Sequence, residues 1–452
     1  MSIVVRFAPS PTGFMHIGNA RVAVINWLFA RKSGGAFMLR IDDTDQTRST
    51  KEYTDALFEE VSWLGLTYDI FARQSECIER YKEAMESLIS IGRLYPCYET
   101  PEELDIKRKI QAKKNEPPVY DRSALNASSK EVETWIAQGR RPHWRFKLNN
   151  APAKWCDLVK GEITVQTAGS LSDPVLVKED GTFLYTLSSV VDDIDFGITH
   201  IIRGEDHVTN TGVQIQLFEA LTREKQGPPP IFAHLSLLLD KEGQPLSKRI
   251  GSFCLRNLRD AGFDAMAINC FIAGLGSSQS HLITYDLREL ADFFDLGAIR
   301  GGARVDLDAI EGIQKKLLHI KSYEMAQASF DKHGVHFSRD EWLAIRESLS
   351  APQDIVEWYN ILNTDACFKH MMGTDDITYI RSIAKLLPEG FFDDGTWDIW
   401  SVRIKQETGR HGRDMIHPIR LALTGRASGP EMKNLILLIG RDNVTRRLLS
   451  CS

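Results

Sequence analysis

The sequence predicts an α/β protein: a parallel-sheet N-terminal half interrupted by an α+β insertion, then an all-α C-terminal half. Three observations predict it. Short apolar runs alternate with helix-period segments over the first 64 residues, the rhythm breaks between about 85 and 185, and beyond about 255 the pattern is mainly helical. Strand, helix, strand, helix at this spacing implies parallel pairing through right-handed crossovers.

The elements follow in order. Ile3–Phe7 is a short apolar strand, and Ala8–Met15 is a loop broken by Pro9, Pro11 and Gly13. A helical pattern runs from His16 to about Lys32 and stops at Gly34-Gly35, which suit a helix C-terminus. Ala36–Ile41 is the next strand. Lys51–Leu64 is helical, with Tyr53, Leu57, Val61 and Leu64 on one face. The middle region holds the charged run Glu102–Lys114, the turn signal Pro117-Pro118, and strand-like pieces at Trp144–Leu148 and Ile163–Gln166. Strand character resumes at Thr182–Val191 and Thr199–Ile202, followed by a helix near Val208–Leu221 and an apolar run at Ile231–Leu239 that ends in the turn Asp240–Gly243. Helical patterns then dominate, at Ala265–Gly274, Leu287–Phe294, Ser338–Leu349 and Met432–Ile439.

Bulk properties narrow the class. With 452 residues, 43% hydrophobic and 26% charged, the chain has the balance of a soluble globular protein of two to four domains. It has no apolar stretch of about 18 residues, which argues against a membrane helix. The N-terminal residues read directly as a strand rather than a signal peptide, so a cytoplasmic location is expected. Cys77, Cys97, Cys156, Cys254, Cys270, Cys367 and Cys451 are dispersed with no CxxC pair, which fits a reducing compartment. A net charge of −6 neither requires nor excludes nucleic acid, because local patches decide that question.

Two segments carry chemistry. The loop Ala8-Pro9-Ser10-Pro11-Thr12-Gly13 runs into His16-Ile17-Gly18-Asn19 at the start of the first helix. A loop there lies at the carboxyl edge of a parallel sheet, where ligands bind. The helix N-terminus favours phosphate, His16 can donate to phosphate oxygens, and Gly18 permits close approach of a nucleotide. The second segment, Gln244-Pro245-Leu246-Ser247-Lys248-Arg249, follows the 231–239 run. As a mobile loop it would set ammonium and guanidinium charge on departing pyrophosphate.

In this order, separated by a long insertion, the two segments resemble the paired signatures of class I aminoacyl-tRNA synthetases. His16–Asn19 is the HIGH-like element and Leu246–Arg249 the KMSKS-like element. Within that class the glutamyl-tRNA synthetase family is the match. Arg6–Gly13 looks like its opening and Arg40–Arg48 resembles its RIEDTD-x-x-R segment. Tyr185 with Val190-Val191-Asp192-Asp193 resembles its Y-x-L-x-x-VVDD segment, Ile202–His207 its IRGEDH, and Pro418–Gly425 a segment near its C-terminus. The resemblance therefore spans essentially the whole chain. The APSPTG loop, Asp45 and Arg48 separate it from glutaminyl enzymes, which usually have a PPEPNG-like loop and DDTN.

The resemblance implies a Rossmann-type catalytic domain in two halves, 1–84 and 186–250. Around these lie an insertion that binds the tRNA acceptor end (85–185), a stem-contact region (251–320) and a helical anticodon-binding region (321–452). It implies Arg6, Ser10, Asp42, Arg48, Tyr185 and Arg203 around glutamate. For ATP it implies Pro9, Thr12, Gly13, His16, Gly18, Asn19, Leu246 and Lys248, with His16, Ser247, Lys248 and Arg249 acting in catalysis. Arginine's planar fork suits carboxylates, and Asp42 would accept from the substrate ammonium. Magnesium would accompany ATP, and the enzyme would be a monomer that charges a glutamate tRNA; the nearest rival within the same class is an enzyme that charges a glutamine tRNA with glutamate, either alone or as well. Basic residues expected in or near the tRNA-binding part are Lys315, Lys316, Lys321, Arg403, Lys405, Arg410 and Arg413.

Three positions depart from the pattern. Asn19 stands in place of the second histidine of HIGH, Asp42 where Glu is commoner, and Pro245 where Lys is common. Some relatives bind zinc in the insertion through a CxC and a later Cys. Here the segment reads Cys97-Tyr98-Glu99, with Ser123 near the later position, and one thiol makes no four-ligand site, so no structural zinc is expected. Two rival readings are a non-catalytic tRNA-binding paralogue and a nucleotidyltransferase acting on a small acid. His16, Lys248 and the three arginines oppose the first, and the helical C-terminal half opposes the second.

Overall fold

The computed structural model describes residues 2–45, 47–167, 169–222, 228–244, 246, 253–364, 368 and 372–450. They form two compact units, Met1–Leu307 and Asp308–Ser452.

The first unit opens as β1 (Val4–Phe7), α1 (Ile17–Lys32), β2 (Ala36–Ile41), α2 (Lys51–Trp63), β3 (Ile70–Arg73) and α3 (Ile78–Ser90). β1, β2 and β3 pair in parallel, with Arg6 opposite Met38 and Arg40 opposite Ala72. α1 starts where His16 caps it and gives way at Gly34, whose φ of +61° suits only a residue without a side chain. Nearly every face of α1 is buried, including Arg21 and Asn26. Its Asn26 carboxamide donates to Val22 O (2.8 Å) and Ile202 O (3.0 Å), tying the helix to a later strand.

The insertion continues with β4 (Leu94–Cys97), α4 (Pro101–Lys113), α5 (Ser129–Ala137), β5 (His143–Phe146), β6 (Ala153–Asp157), β7 (Gly161–Val165) and β8 (Val175–Val177). β4, β5 and β8 form an antiparallel sheet, and β6 and β7 an antiparallel hairpin. Buried Asp173 pins the region by accepting from Tyr95 Oη, Arg122 and Leu148 N. The insertion does not build a separate core. Leu94, Phe146 and Leu176 pack in one cluster with Met38, Val190 and Phe218.

The parallel architecture then resumes with α6 (Tyr185–Asp195), β9 (His200–Gly204), α7 (Val208–Leu221), β10 (Ile231–Leu235) and β11 (Leu238–Leu239). β9 and β10 are parallel, with His234 opposite Arg203. Thr199 N–H donates to Val4 O at 2.9 Å, which sets β9 beside β1. The expected strand at 182–191 is a helix. The helix begins at Tyr185, and its apolar residues Leu187, Val190, Val191 and Ile194 recur at the helical spacing i, i+3, i+4 and i+7, which the β-branched pair Val190-Val191 masks in a strand reading. The run at 231–239 is likewise two strands, broken at Ser236-Leu237. The unit closes with α8 (Leu255–Asp260), α9 (Ala265–Gly274), α10 (Leu287–Phe293) and β12 (Ala303–Arg304), the last parallel to β11.

The second unit is helical: α11 (Leu307–Ile320), α12 (Tyr323–His333), α13 (Arg339–Ile345), α14 (Asp354–Asn363), α15 (Thr374–Ala384), α16 (Thr396–Thr408), α17 (Gly412–Thr424), α18 (Met432–Ile439) and α19 (Arg441–Ser450). Fully buried Trp342, Trp358 and Trp400 anchor its core with Phe337, Ile380 and Leu435. No described helix is long and apolar enough to cross a membrane.

Candidate functional site

A cleft of about 670 Å³ opens at the carboxyl ends of β1, β9 and β10. Adjacent parallel strands end there and their connections diverge, which is where open α/β sheets bind ligands. Of the residues named from sequence, Arg6, Pro9, Ser10, His16, Gly18, Asn19, Tyr185, Arg203 and Leu246 line it.

His16 has two tasks. Its Nδ1 accepts from Gly18 N at 3.0 Å, and its backbone N–H donates to Asn19 Oδ1 at 3.2 Å, a reciprocal cap. Burial lowers the imidazole's pKa, so the neutral ring with Nδ1 as acceptor carries its proton on Nε2, free to donate into the cleft it lines. Gly18 is needed for this geometry, because a Cβ there would sit 2.7 Å from His16 Cε1. Asn19 is accounted for by the same cap.

Two arginines at the cleft differ in their partners. Arg6 Nε meets Asp193 at 3.3 Å. Arg203 lies buried among neutral groups: Tyr185 Oη (3.1 Å), Thr211 Oγ1 (2.6 Å) and Gln214 Oε1 (2.6 Å). No carboxylate among the described residues is in ion-pair contact with Arg203, and its Nε is unpartnered. Burial lowers its pKa, as expected of a guanidinium without a counter-charge. Such a group calls for an anionic ligand.

Beneath these lies a buried ionic cluster. Arg40 donates to Asp42 (2.7 and 3.2 Å) and Asp193 (2.8 Å), and its Nε is 3.5 Å from Asp192. Desolvation opposes its charge, but Asp42, Asp193 and Asp192 outweigh that and raise its pKa. Asp192 also accepts from Gln74 and Tyr81, yet burial pushes its carboxyl up to about 6.

Four residues named from sequence lie off the cleft lining. Both oxygens of Asp42 are taken by Arg40, so the structure shows it as a buried partner of that arginine. Arg48 is exposed and paired with Asp45 at 2.7 Å. Thr12 and Gly13 are exposed on the loop. Ser247, Lys248 and Arg249 lie outside the described residues. In the second unit Arg410 pairs with Asp376 (3.4 Å) and stacks 4.1 Å over Tyr379.

Sequence reasoning gave no site role to Arg21, to Asp206 and His207 of the IRGEDH-like segment, or to the Ser236–Leu238 turn, all of which line the cleft. Arg21, 2% exposed, donates to Ser236 O at 2.5 Å, while Glu205 accepts from Leu237 N at 2.8 Å; together they bend the chain between β10 and β11. Burial lowers the Arg21 guanidinium to about 10, against the pull of Glu205. An arginine within the otherwise apolar face of α1 was a visible signal.

In the insertion, Glu99 Oε1 accepts from Tyr120 Oη (2.7 Å), Ser123 Oγ (2.9 Å) and Lys107 Nζ (3.3 Å). An ammonium thus sits among the groups that sequence reasoning compared with a zinc site. Among the described residues no set of three His, Cys, Asp or Glu side chains is placed to hold a metal.

Known proteins resemble this chain in sequence and in fold. Residues 2–295 match the family described as tRNA synthetases class I (E and Q), catalytic domain, and residues 398–451 match an anticodon binding domain. Glutamate–tRNA ligase 1 of Maricaulis maris is 46% identical over 98% of each chain, and glutamate–tRNA ligase 1 of Parvibaculum lavamentivorans 47% over the same shares. A glutamate tRNA ligase from Elizabethkingia meningosepticum, crystallised in complex with its amino acid, superposes with a TM-score of 0.82. It is 25% identical, covering 100% of this chain and 99% of that one.

Proposed function

The chain belongs to the glutamyl and glutaminyl class I tRNA synthetases, and on that premise we propose that it is a glutamate–tRNA ligase. It activates L-glutamate with ATP to glutamyl-adenylate, releasing diphosphate, and transfers the glutamyl group to the 3′-terminal adenosine of tRNA, releasing AMP. The observation that carries this reading is Arg203: a buried cation, ringed by neutral acceptors, in a cleft whose other wall is a capped helix N-terminus.

The reaction needs no protein nucleophile. A carboxylate oxygen of glutamate attacks the α-phosphorus of ATP, and a ribose hydroxyl of the terminal adenosine then attacks the carbonyl of the mixed anhydride. The protein supplies position and charge. Arg203, Arg6, Ser10 and Tyr185 receive the amino acid. Pro9, His16, Gly18, Asn19 and Leu246 receive ATP, with His16 Nε2–H donating to a phosphate oxygen. On the family resemblance, Ser247, Lys248 and Arg249 close over the departing diphosphate. Magnesium would enter with ATP as part of the nucleotide substrate and would offset phosphate charge. The second unit receives the tRNA anticodon arm. The enzyme works as a cytoplasmic monomer.

Aminoacylation with radiolabelled glutamate, ATP and magnesium, comparing purified glutamate-accepting and glutamine-accepting tRNAs, tests the reading. Charging of the first alone defines a discriminating enzyme, and charging of the second a non-discriminating one. Charging of neither, with tRNA binding retained, refutes catalysis and leaves a binding paralogue.

A further inference from the structure

Behind Arg203 runs a buried chain of polar groups that takes no part in the reaction described above. Four elements converge on it: β6 ends at Asp157, β10 carries His234, α7 carries Thr211 and β9 carries Arg203. Asp157 Oδ2 lies 2.5 Å from His234 Nδ1, His234 Nε2 lies 2.9 Å from Thr211 Oγ1, and Thr211 Oγ1 accepts from Arg203 Nη2 at 2.6 Å. His234 is wholly buried and stacked against Phe232.

The proton positions follow from donor counting. Asp157 Oδ1 accepts from the backbone N–H groups of Val159, Lys160 and His234, each at 3.0 Å. These bonds and the His234 contact outweigh the cost of burial and hold the carboxyl down at about 2, so Asp157 is ionised and can only accept. The bridging proton therefore sits on His234 Nδ1, and in the neutral ring Nε2 then accepts. With the ring neutral, Thr211 directs its single hydroxyl proton at His234, which leaves its lone pairs turned to Arg203. With the opposite tautomer, Nε2–H would occupy one of those lone pairs, and the hydroxyl proton would turn to His207 O, 3.2 Å away.

We propose that His234, oriented by Asp157, is a positioning residue: it fixes the Thr211 hydroxyl as an acceptor for Arg203 and so aims the remaining guanidinium N–H groups at a substrate carboxylate. This rests on the reading of Arg203 as a glutamate-binding residue. It also gives the insertion a direct hold on the amino-acid site, since Asp157 belongs to the β6–β7 hairpin and Leu158 N donates to Phe232 O at 2.9 Å.

The test is steady-state kinetics of glutamate activation in His234→Leu, His234→Gln, Thr211→Val and Arg203→Gln, on the full chain with its tRNA. His234→Leu and Thr211→Val are expected to raise KM for glutamate by on the order of tenfold or more, the effect of a lost hydrogen bond to a charged group. KM for ATP and kcat should stay within about threefold of the parent, a split that a loss of general stability would not produce. His234→Gln, whose amide oxygen can accept from Thr211, should recover most of the loss. Thr211→Val is nearly isosteric, which guards against failure to fold at position 234. An unchanged glutamate KM in both His234→Leu and Thr211→Val, or parallel rises in the ATP and glutamate KM values, would overturn the proposal. If Arg203→Gln also leaves the glutamate KM unchanged, the reading of Arg203 itself is what fails.

Discussion

Replacing Arg203 by glutamine should weaken the enzyme and firm up the fold together. The Arg203 side chain is 5% exposed, and its hydrogen-bond partners among the described residues are Tyr185, Thr211 and Gln214, none of which carries compensating charge. Removing a buried charge that lacks a partner relieves a penalty of several kcal/mol. The glutamine amide can serve one of the two short acceptors, Thr211 or Gln214, and stranding the other costs about 1–3 kcal/mol. The net is a stability between unchanged and about 2 kcal/mol higher, or up to roughly 5 °C in Tm. Glutamate binding moves the other way. Losing one member of a buried charge pair costs about 2–5 kcal/mol, so kcat/KM for glutamate should fall roughly 30- to 5000-fold. Thermal melts with and without glutamate read both effects. At about 100 times Kd, ligand stabilises the parent by about 2.7 kcal/mol, and at the same concentration the variant should show almost none of this. A variant that melts several degrees lower while keeping the parent's glutamate KM would refute the argument, because Arg203 would then be a structural residue.

Further predictions follow from the same geometry. Gly18→Ala places a Cβ against the His16 ring and should displace it, costing about 1 kcal/mol of cap and raising KM for ATP; an unchanged ATP KM would mean that the ring does not serve the nucleotide. Lys248→Ala should lower the rate of glutamate-dependent exchange between ATP and diphosphate by on the order of a hundredfold with glutamate KM unchanged; equal loss of glutamate binding would place the lysine elsewhere. His143, whose imidazole is held down at about 4 by burial and then by Arg145, gives a pH signature. Its folded pKa is below its unfolded one, so as pH falls from 6.5 toward 4 the unfolded chain takes up a proton that the folded one refuses. The stability is intact above 6.5 and lost toward 4, by about 3 kcal/mol at most and nearer 1–2 once solvent screening of this half-buried ring is allowed for. Urea unfolding of His143→Phe at pH 7.5 and 4.5 should therefore show a smaller loss than the parent, and equal losses would exclude His143 as the source.

Much of the catalytic unit was legible because its signals are local. The strand at 36–41, the helix at 208–221 and the start of α1 follow from apolar spacing and capping chemistry within a few residues. The helical period of α6 was present at Leu187, Val190, Val191 and Ile194, but the β-branched pair Val190-Val191 and the polar residues buried beside them, Ser188, Ser189, Asp192 and Asp193, made the segment read as a strand. Asp42 and Arg40 stand two apart on a strand end, hence on one face, and that spacing alone could have suggested that they consume each other. Arg48 and Asp45, three apart, carried a similar local warning. The Asp157–His234 pair had none: 77 residues separate its members, and only tertiary structure brings them together.

If Arg203 holds glutamate, as proposed, the carboxylate it meets decides how the enzyme tells glutamate from glutamine. The two amino acids differ by a carboxylate against a carboxamide of nearly the same shape, so fit alone discriminates poorly and charge must do it. Arg6 is already engaged by Asp193, whereas Arg203 has no ion-pair contact among the described residues unless the ligand supplies a second negative group. Glutamine, with only its α-carboxylate, would leave it so. If Arg203 meets the side-chain carboxylate, Arg203→Gln should erase the preference: kcat/KM falls for glutamate and holds for glutamine, and their ratio drops by about the same 30-fold or more. If it meets the α-carboxylate, which both share, the two fall together and the ratio survives. Among the described residues no carboxylate is in ion-pair contact with Arg203, which favours the first outcome. A constant ratio across the parent and the variant would place the discrimination on Arg6 instead.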